Sequence, residues 1–300
     1  MQRRYVTIDV FTDRPFGGNP LAVVLDAEGL STSQMQSLTH EFGYSETSFV
    51  LPPADPAHAA RVRIFTPGSE LPFAGHPNVG TAVVLARSTG GTPPERLVFE
   101  ELAGLVPLDL IVEDGRAVGA ELTAPAMFSR AGDTAAAALA EAVSLAASDV
   151  LVAAHPPTTA SVGLAFTFVE LASRDALRRA VPEAARLSPL LSAASAAGVL
   201  LYTRDGADAA CDVQARMFSP LDGIGEDPAT GSAAAALVAL LASLAPARDL
   251  DLLVRVAQGV DMGRPSLLRA RAVKCRGVVT SAHVGGRAVE MMRGTFNLAD

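Results

Sequence analysis

The chain has 300 residues, 49% of them hydrophobic and 19% charged, and a formal net charge of −8. Such a composition excludes a disordered chain, and the length allows one large domain or two of ordinary size. The acidic balance gives no electrostatic support to phosphate-backbone binding, so no nucleic-acid partner is expected. Cys211 and Cys275 form no C-x-x-C pair and have no histidine at ligand spacing, against structural zinc or a disulfide scaffold and for a reduced, cytoplasmic setting. The basic start is followed by an apolar run that Asp9 interrupts, a poor signal peptide, and the apolar stretch Ala233–Ala245 is too short to cross a bilayer. No membrane association is expected.

Along the chain, β-branched and aromatic enrichment predicts strands at Tyr5–Phe11, Leu21–Leu25, Thr47–Leu51, Arg61–Phe65, Leu97–Leu102, Leu105–Val112 and Ala117–Leu122. Further strands are predicted at Leu164–Leu171, Gly198–Tyr202, Asp212–Phe218, Leu252–Ala257, Leu267–Val273, Val278–His283 and Ala288–Arg293. Ser31 with Gln34 makes a capping box, Met35, Leu38 and Phe42 share one face, and Gly43 ends that helix. Asp133–Leu145 is a further helix, and Ser188-Pro189 starts another that Gly198 closes. Pro77–Arg87 and Thr230–Leu244 are apolar nearly all round, as helices wrapped by sheet should be.

These last two helices belong to an internal repeat. Arg63-Ile64-Phe65-Thr66-Pro67 recurs 153 residues later as Arg216-Met217-Phe218-Ser219-Pro220. Continued without a gap, Gly75-His76-Pro77 falls opposite Pro228-Ala229-Thr230. The repeat predicts an α/β (α+β) fold of two pseudo-symmetric units, each a curled, mostly antiparallel sheet around a central helix. The break falls near Thr123-Ala124-Pro125, giving halves 1–123 and 124–287, with a last strand in 288–300 packing back on the first.

Three segments carry candidate chemistry. In Phe73-Ala74-Gly75-His76-Pro77-Asn78, Pro77 suits a first helical turn and Gly75 admits a close ligand. The N–H groups of such a helix start favour an anion, and His76 at its mouth could donate a hydrogen bond or shuttle a proton; the same residues also read as a cap and turn. In Gly225-Glu226-Asp227-Pro228-Ala229-Thr230-Gly231-Ser232, Thr230 is a candidate N-cap, and Gly231 and Ser232 open a helix that could hold a carboxylate. Asp227 there could equally complement the helix dipole. In Tyr44-Ser45-Glu46-Thr47, Glu46 opens a strand after a helix-ending glycine, a place where carboxylates are often merely solvated; Glu41 is the alternative acid. His58 reads as a surface residue, and Lys274, the only lysine, as the one available Schiff-base nucleophile. No G-x-S-x-G, P-loop or G-x-G-x-x-G is present, and the histidines lie scattered, so neither metal nor organic cofactor is expected.

Phe16-Gly17-Gly18-Asn19-Pro20, Ser45-Glu46, Arg63-Ile64-Phe65-Thr66-Pro67, Glu70-Leu71-Pro72-Phe73-Ala74-Gly75-His76-Pro77, Phe218-Ser219-Pro220, Glu226-Asp227-Pro228-Ala229-Thr230-Gly231-Ser232, Gln258-Gly259 and Gly263-Arg264-Pro265-Ser266 together resemble the phenazine-biosynthesis PhzF-like family, within the diaminopimelate-epimerase fold. The resemblance runs nearly end to end. It implies a cleft between two halves, a homodimer, and cofactor-independent proton movement on a small carboxylate-bearing metabolite. It further implies Glu46 as general acid/base, His76 and Asp227 as its catalytic assistants, and Gly75, Pro77, Asn78, Thr230, Gly231 and Ser232 at the substrate. The two-cysteine chemistry of the epimerases has no counterpart, because neither helix start carries a cysteine. Asn78 stands where a small hydroxyl or apolar residue is expected. A lyase or hydrolase on the same scaffold, or a non-catalytic acid-binding protein, remains open at this point.

Overall fold

The computed structural model describes residues 2–88, 90–206, 210–222 and 224–298. The chain divides into two units, Met1–Thr123 with Gly285–Asp300, and Ala124–Val284.

In the first unit β1 (Gln2–Val10), β2 (Asn19–Val24), α1 (Thr32–Phe42), β3 (Glu46–Leu51), β4 (Ala60–Phe65), β5 (Glu70–Leu71), α2 (Gly75–Ser88), β6 (Arg96–Glu101), β7 (Gly104–Glu113) and β8 (Arg116–Thr123) follow one another. Helix α1 begins on the Ser31–Gln34 capping box and stops at Gly43, whose φ of 68° suits glycine. β1 pairs antiparallel with β2 and with the chain's last strand. β2 runs parallel to β3, β3 antiparallel to β4, and β4 parallel to β6. β6, β7 and β8 form a meander, and β8 pairs with the last strand, which closes the ring.

Helix α2 fills that ring, so Gly75 to Val84 are all buried. A Cβ on Gly80 would lie 2.6 Å from Leu21 Cδ2 and 2.8 Å from Val10 Cγ2, so the tight wrap demands small residues. The helix starts at Gly75, earlier than the predicted Pro77. Pro77 still falls among the first four residues, whose N–H groups lack helical acceptors, so its missing donor costs nothing.

The second unit contains β9 (Ser129–Asp133), α3 (Ala136–Ala142), β10 (Val150–Leu151), β11 (Thr158–Ser161), β12 (Ala165–Leu171), α4 (Arg174–Arg179), α5 (Ala184–Ala193), β13 (Gly198–Thr203), β14 (Val213–Ser219), β15 (Ile224–Asp227), α6 (Gly231–Leu244), β16 (Leu250–Gln258) and β17 (Ser266–Cys275); β18 (Val278–Asn297) starts here and ends in the first unit. The sheet runs β9–β11–β12–β13–β14–β16–β17, with β12–β13 and β14–β16 parallel and the other pairs antiparallel. Helix α6 packs inside it against β11, β12, β16 and β17. Outside, Leu139, Val143, Leu177, Leu187 and Leu191 from α3 to α5 pack on Val169, Leu171, Val199 and Leu201. That burial sets the start of α5 at Ala184 and leaves Pro189 inside it, where a start at Ser188-Pro189 was predicted. Among the described residues no helix is long and apolar enough to cross a membrane.

The duplication shows in matching side chains. Arg63 holds Glu70 with two bonds of 2.6 Å and lies 5.1 Å from the Phe65 ring centroid. Arg216 holds Glu226 with two bonds of 2.8 Å and lies 4.9 Å from the Phe218 ring centroid. From Pro67 to Glu70 is three residues, but from Pro220 to Glu226 it is six. The ungapped register therefore fails in this loop. The true partners are Glu70 with Glu226, Gly75 with Gly231, and His76 with Ser232.

Candidate active site

The parallel pairing of β2 and β3 sets their starts side by side, with Leu21 opposite Glu46. The loop before β2 can turn there because Gly18 has a φ of 64°, and a Cβ at that position would overlap Val10 O. Glu46 thus comes to the ring end where α2 begins. His76 Nε2 lies 3.3 Å from Glu46 Oε2, with the side chains 5% and 14% exposed. Asn19 Nδ2 lies 3.4 Å from His76 Nδ1, and Ser45 Oγ donates to Asn19 Oδ1 at 3.1 Å. A carboxylate held against an imidazole in a nearly dry setting, beside a helix start, can exchange a proton with a bound carbon acid.

In the second unit Asp227 ends β15 just before α6. Thr230 occupies the N-cap position of α6, but its hydroxyl makes no cap bond and donates to Asp227 instead. Gln258, fully buried, holds this segment from three sides. Its amide nitrogen donates to Asp227 O at 2.8 Å and Thr230 Oγ1 at 3.1 Å, and its oxygen accepts from Thr230 N at 3.3 Å. Ser266 Oγ donates to Pro228 O at 2.8 Å. Gly259 lets the strand pass so close that a Cβ would lie 2.6 Å from Pro228 O. Ser232 sits half-buried in the first turn of α6.

The structure thus brings Glu46 to His76 in one unit and Asp227 to Thr230 in the other. Asn78 turns its amide back onto Ala74 O at 2.9 Å, and Pro77 is buried in the helix. Glu41 is exposed. His58 is not a plain surface residue, because its Nδ1 meets Glu100 Oε1 at 2.8 Å with both side chains mostly covered. Lys274 is buried, its Nζ donating to Ser243 O and Ala245 O at the end of α6, which makes it a helix cap. Sequence reasoning assigned no role to Asn19, Ser45, Gln258 or Ser266, although all four stand in the quoted motifs. It also passed over Glu101, whose carboxyl burial pushes up to about 8. Among the described residues no cluster of three or more His, Cys, Asp or Glu side chains is placed to hold a metal ion.

Residues 8–294 match the family model described as phenazine biosynthesis-like protein. An uncharacterized isomerase of Mesorhizobium japonicum is 36% identical, over 97% of this chain and 98% of its own length. The trans-2,3-dihydro-3-hydroxyanthranilate isomerase of Pseudomonas aeruginosa is also 36% identical, with the same coverage of 97% and 98%. The PhzF-family phenazine biosynthesis protein of Bacillus anthracis superposes with a TM-score of 0.87 at 25% identity, over 99% of this chain and 100% of that one. A hydroxyproline epimerase of Agrobacterium vitis, at 14% identity with a TM-score of 0.64 over 100% and 93% of the two chains, shares the fold alone. The chain belongs to the phenazine biosynthesis-like (PhzC-PhzF) protein family, as one of its isomerases.

Proposed function

We propose that this isomerase moves a proton within a small carboxylate-bearing metabolite, with Glu46 as general acid/base and no metal or organic cofactor. The observation that carries the reading is the Glu46–His76 pair at 3.3 Å beside the start of α2. The Glu46 carboxylate takes a proton from a substrate carbon, an enol-like intermediate forms, and Glu46-COOH returns the proton to another carbon on the same face. No atom is gained or lost, so substrate and product have equal mass; a lyase or hydrolase would change it. Backbone N–H groups at the start of α2 hold the substrate carboxylate beside Glu46. Since relatives are named for a dihydro-hydroxyanthranilate, cyclic amino and hydroxy acids are the first compounds to screen.

The test is deuterium uptake from solvent into a substrate carbon. Wild type incorporates deuterium, and Glu46→Gln loses the exchange by about 10²-fold or more while keeping ligand affinity. Exchange at the wild-type rate in Glu46→Gln removes Glu46 from the role and makes Asp227 the next base to test.

A further inference from the structure

A base must enter the cycle ionised, so a ring nitrogen that faces Glu46 has to carry hydrogen. That nitrogen is His76 Nε2. What the ring does then depends on Nδ1. Nδ1 faces the side-chain amide nitrogen of Asn19, and an amide nitrogen only donates. The amide stands in this sense with its far end on Ser45, whose hydroxyl donates to Asn19 Oδ1. Asn19 and His76 are both buried, and the two bonds from Ser45 through Asn19 lead to a ring whose Nε2 lies 3.3 Å from the Glu46 carboxylate.

The geometry points to Asn19 as a positioning residue that, with Ser45, locks His76 in the neutral tautomer with its hydrogen on Nε2. In that state His76 is a fixed donor to the Glu46 carboxylate and not a proton carrier. A carrier would have to accept a second proton at Nδ1, which would set N–H against N–H. The reversed amide would instead place Oδ1 against Nδ1–H and make the ring a cation beside Glu46. The inference rests on Glu46 being the base, as proposed above, but its readout does not require turnover.

The experiment is a long-range ¹H–¹⁵N correlation spectrum of the full chain carrying ¹⁵N-histidine, near neutral pH. The His76 signals are assigned by their disappearance in His76→Asn. Wild type is expected to show an unprotonated Nδ1 and a protonated Nε2. In Asn19→Asp the new carboxylate accepts from Nδ1, so the signals move to the doubly protonated pattern. Ser45→Ala, a milder change outside the core, leaves the amide unheld and gives averaged tautomer signals. It decides the matter should Asn19→Asp not fold. An imidazolium or an Nδ1–H tautomer in wild type overturns the inference, as does a wild-type spectrum in Ser45→Ala. Finding the expected tautomer while Glu46→Gln still exchanges deuterium would defeat the assignment of the base and leave the lock standing.

Discussion

Glu101 offers a test of the first unit's interior that needs no substrate. Both its carboxylate oxygens are shut off from water, and Asn78 is the one side chain among the described residues that acts on them. Burial raises its pKa from 4.5 to about 8, and the Asn78 side chain opposes this only in part. Between those two values the folded chain keeps a proton that the unfolded chain has released. The unfolded state therefore binds fewer protons, and stability falls as pH rises. Glu101's contribution is whole below about pH 4.5 and is lost as pH passes about 8. At ~1.4 kcal/mol per pH unit the ceiling is ~5 kcal/mol, and about half of that is expected once water reaches the loosened site. Glu101→Gln removes the titration, so its stability curve should be flatter than wild type from about pH 5 to about pH 8. The new amide brings two N–H groups that need acceptors, so the slopes carry the comparison and not the absolute values. Hydrogen exchange of the α2 amides, read across that range, reports the unit in which Glu101 lies. Parallel curves for the two proteins would refute the reasoning.

The twin arginines should respond unequally to lysine, which keeps the charge but loses the fork. Arg63→Lys should cost ~1 kcal/mol in urea unfolding, and Arg216→Lys ~2–3 kcal/mol, because Arg216 Nη1 also serves the carbonyls of Leu177, Arg178 and Ala180; equal costs would show that those carbonyls find other donors. Lys274 should resist an amine-acylating reagent in the native protein and react once it is unfolded, as read by peptide mass; native labelling would contradict its burial at the end of α6. Gly119→Ala should cost ~3 kcal/mol or more, because the new Cβ would overlap Gly286 O. By contrast Gly43→Ala, with nothing within 4 Å of the new Cβ, should cost only the ~1 kcal/mol of a left-handed residue; similar thermal shifts for these two variants would contradict the close approach.

What could be read in the sequence was whatever local chemistry decides. The ends of α1 follow from Ser31, Gln34 and Gly43 alone, and most strands of the first unit lie within a residue or two of their predicted bounds. The exceptions have tertiary causes. β9 is exposed throughout, with no alternating pattern, and exists because β11 pairs with it; this also cuts the predicted helix Asp133–Leu145 down to Ala136–Ala142. The predicted strands Val278–His283 and Ala288–Arg293 are one continuous β18. Gly285-Gly286 lies between those two predicted strands, where β18 passes so close to Ala120 and Gly119 that side chains would not fit. Asn19 and Ser45 escaped notice because nothing near them in sequence shows that a helix starting at Gly75 will bring His76 to their side.

The three-residue difference between the loops after Pro67 and Pro220 separates what the duplication kept from what it let vary. Each unit retains an arginine–carboxylate pair over a phenylalanine, then a helix opening on glycine, because this pair anchors the short strand that leads into the helix. The chemistry on that frame is not duplicated. His76 follows the first glycine, whereas Ser232 follows the second, and Glu46 opens β3 where Gly198 opens β13. One unit therefore holds a carboxylate–imidazole pair and the other a carboxylate–hydroxyl pair, Asp227 with Thr230. The single-acid proton transfer proposed above needs only one such carboxylate, and the second unit carries a glycine at the matching place. Restoring the symmetry tests the point: Gly198→Glu should leave deuterium exchange dependent on Glu46. Exchange that persisted in Gly198→Glu with Glu46→Gln would show that the scaffold, and not the single placement of the acid, sets the chemistry. Met217 Cε lies 2.4 Å and Phe218 O 2.6 Å from the position a Cβ would take at residue 198, so the variant's fold must be checked by circular dichroism before its rate is read.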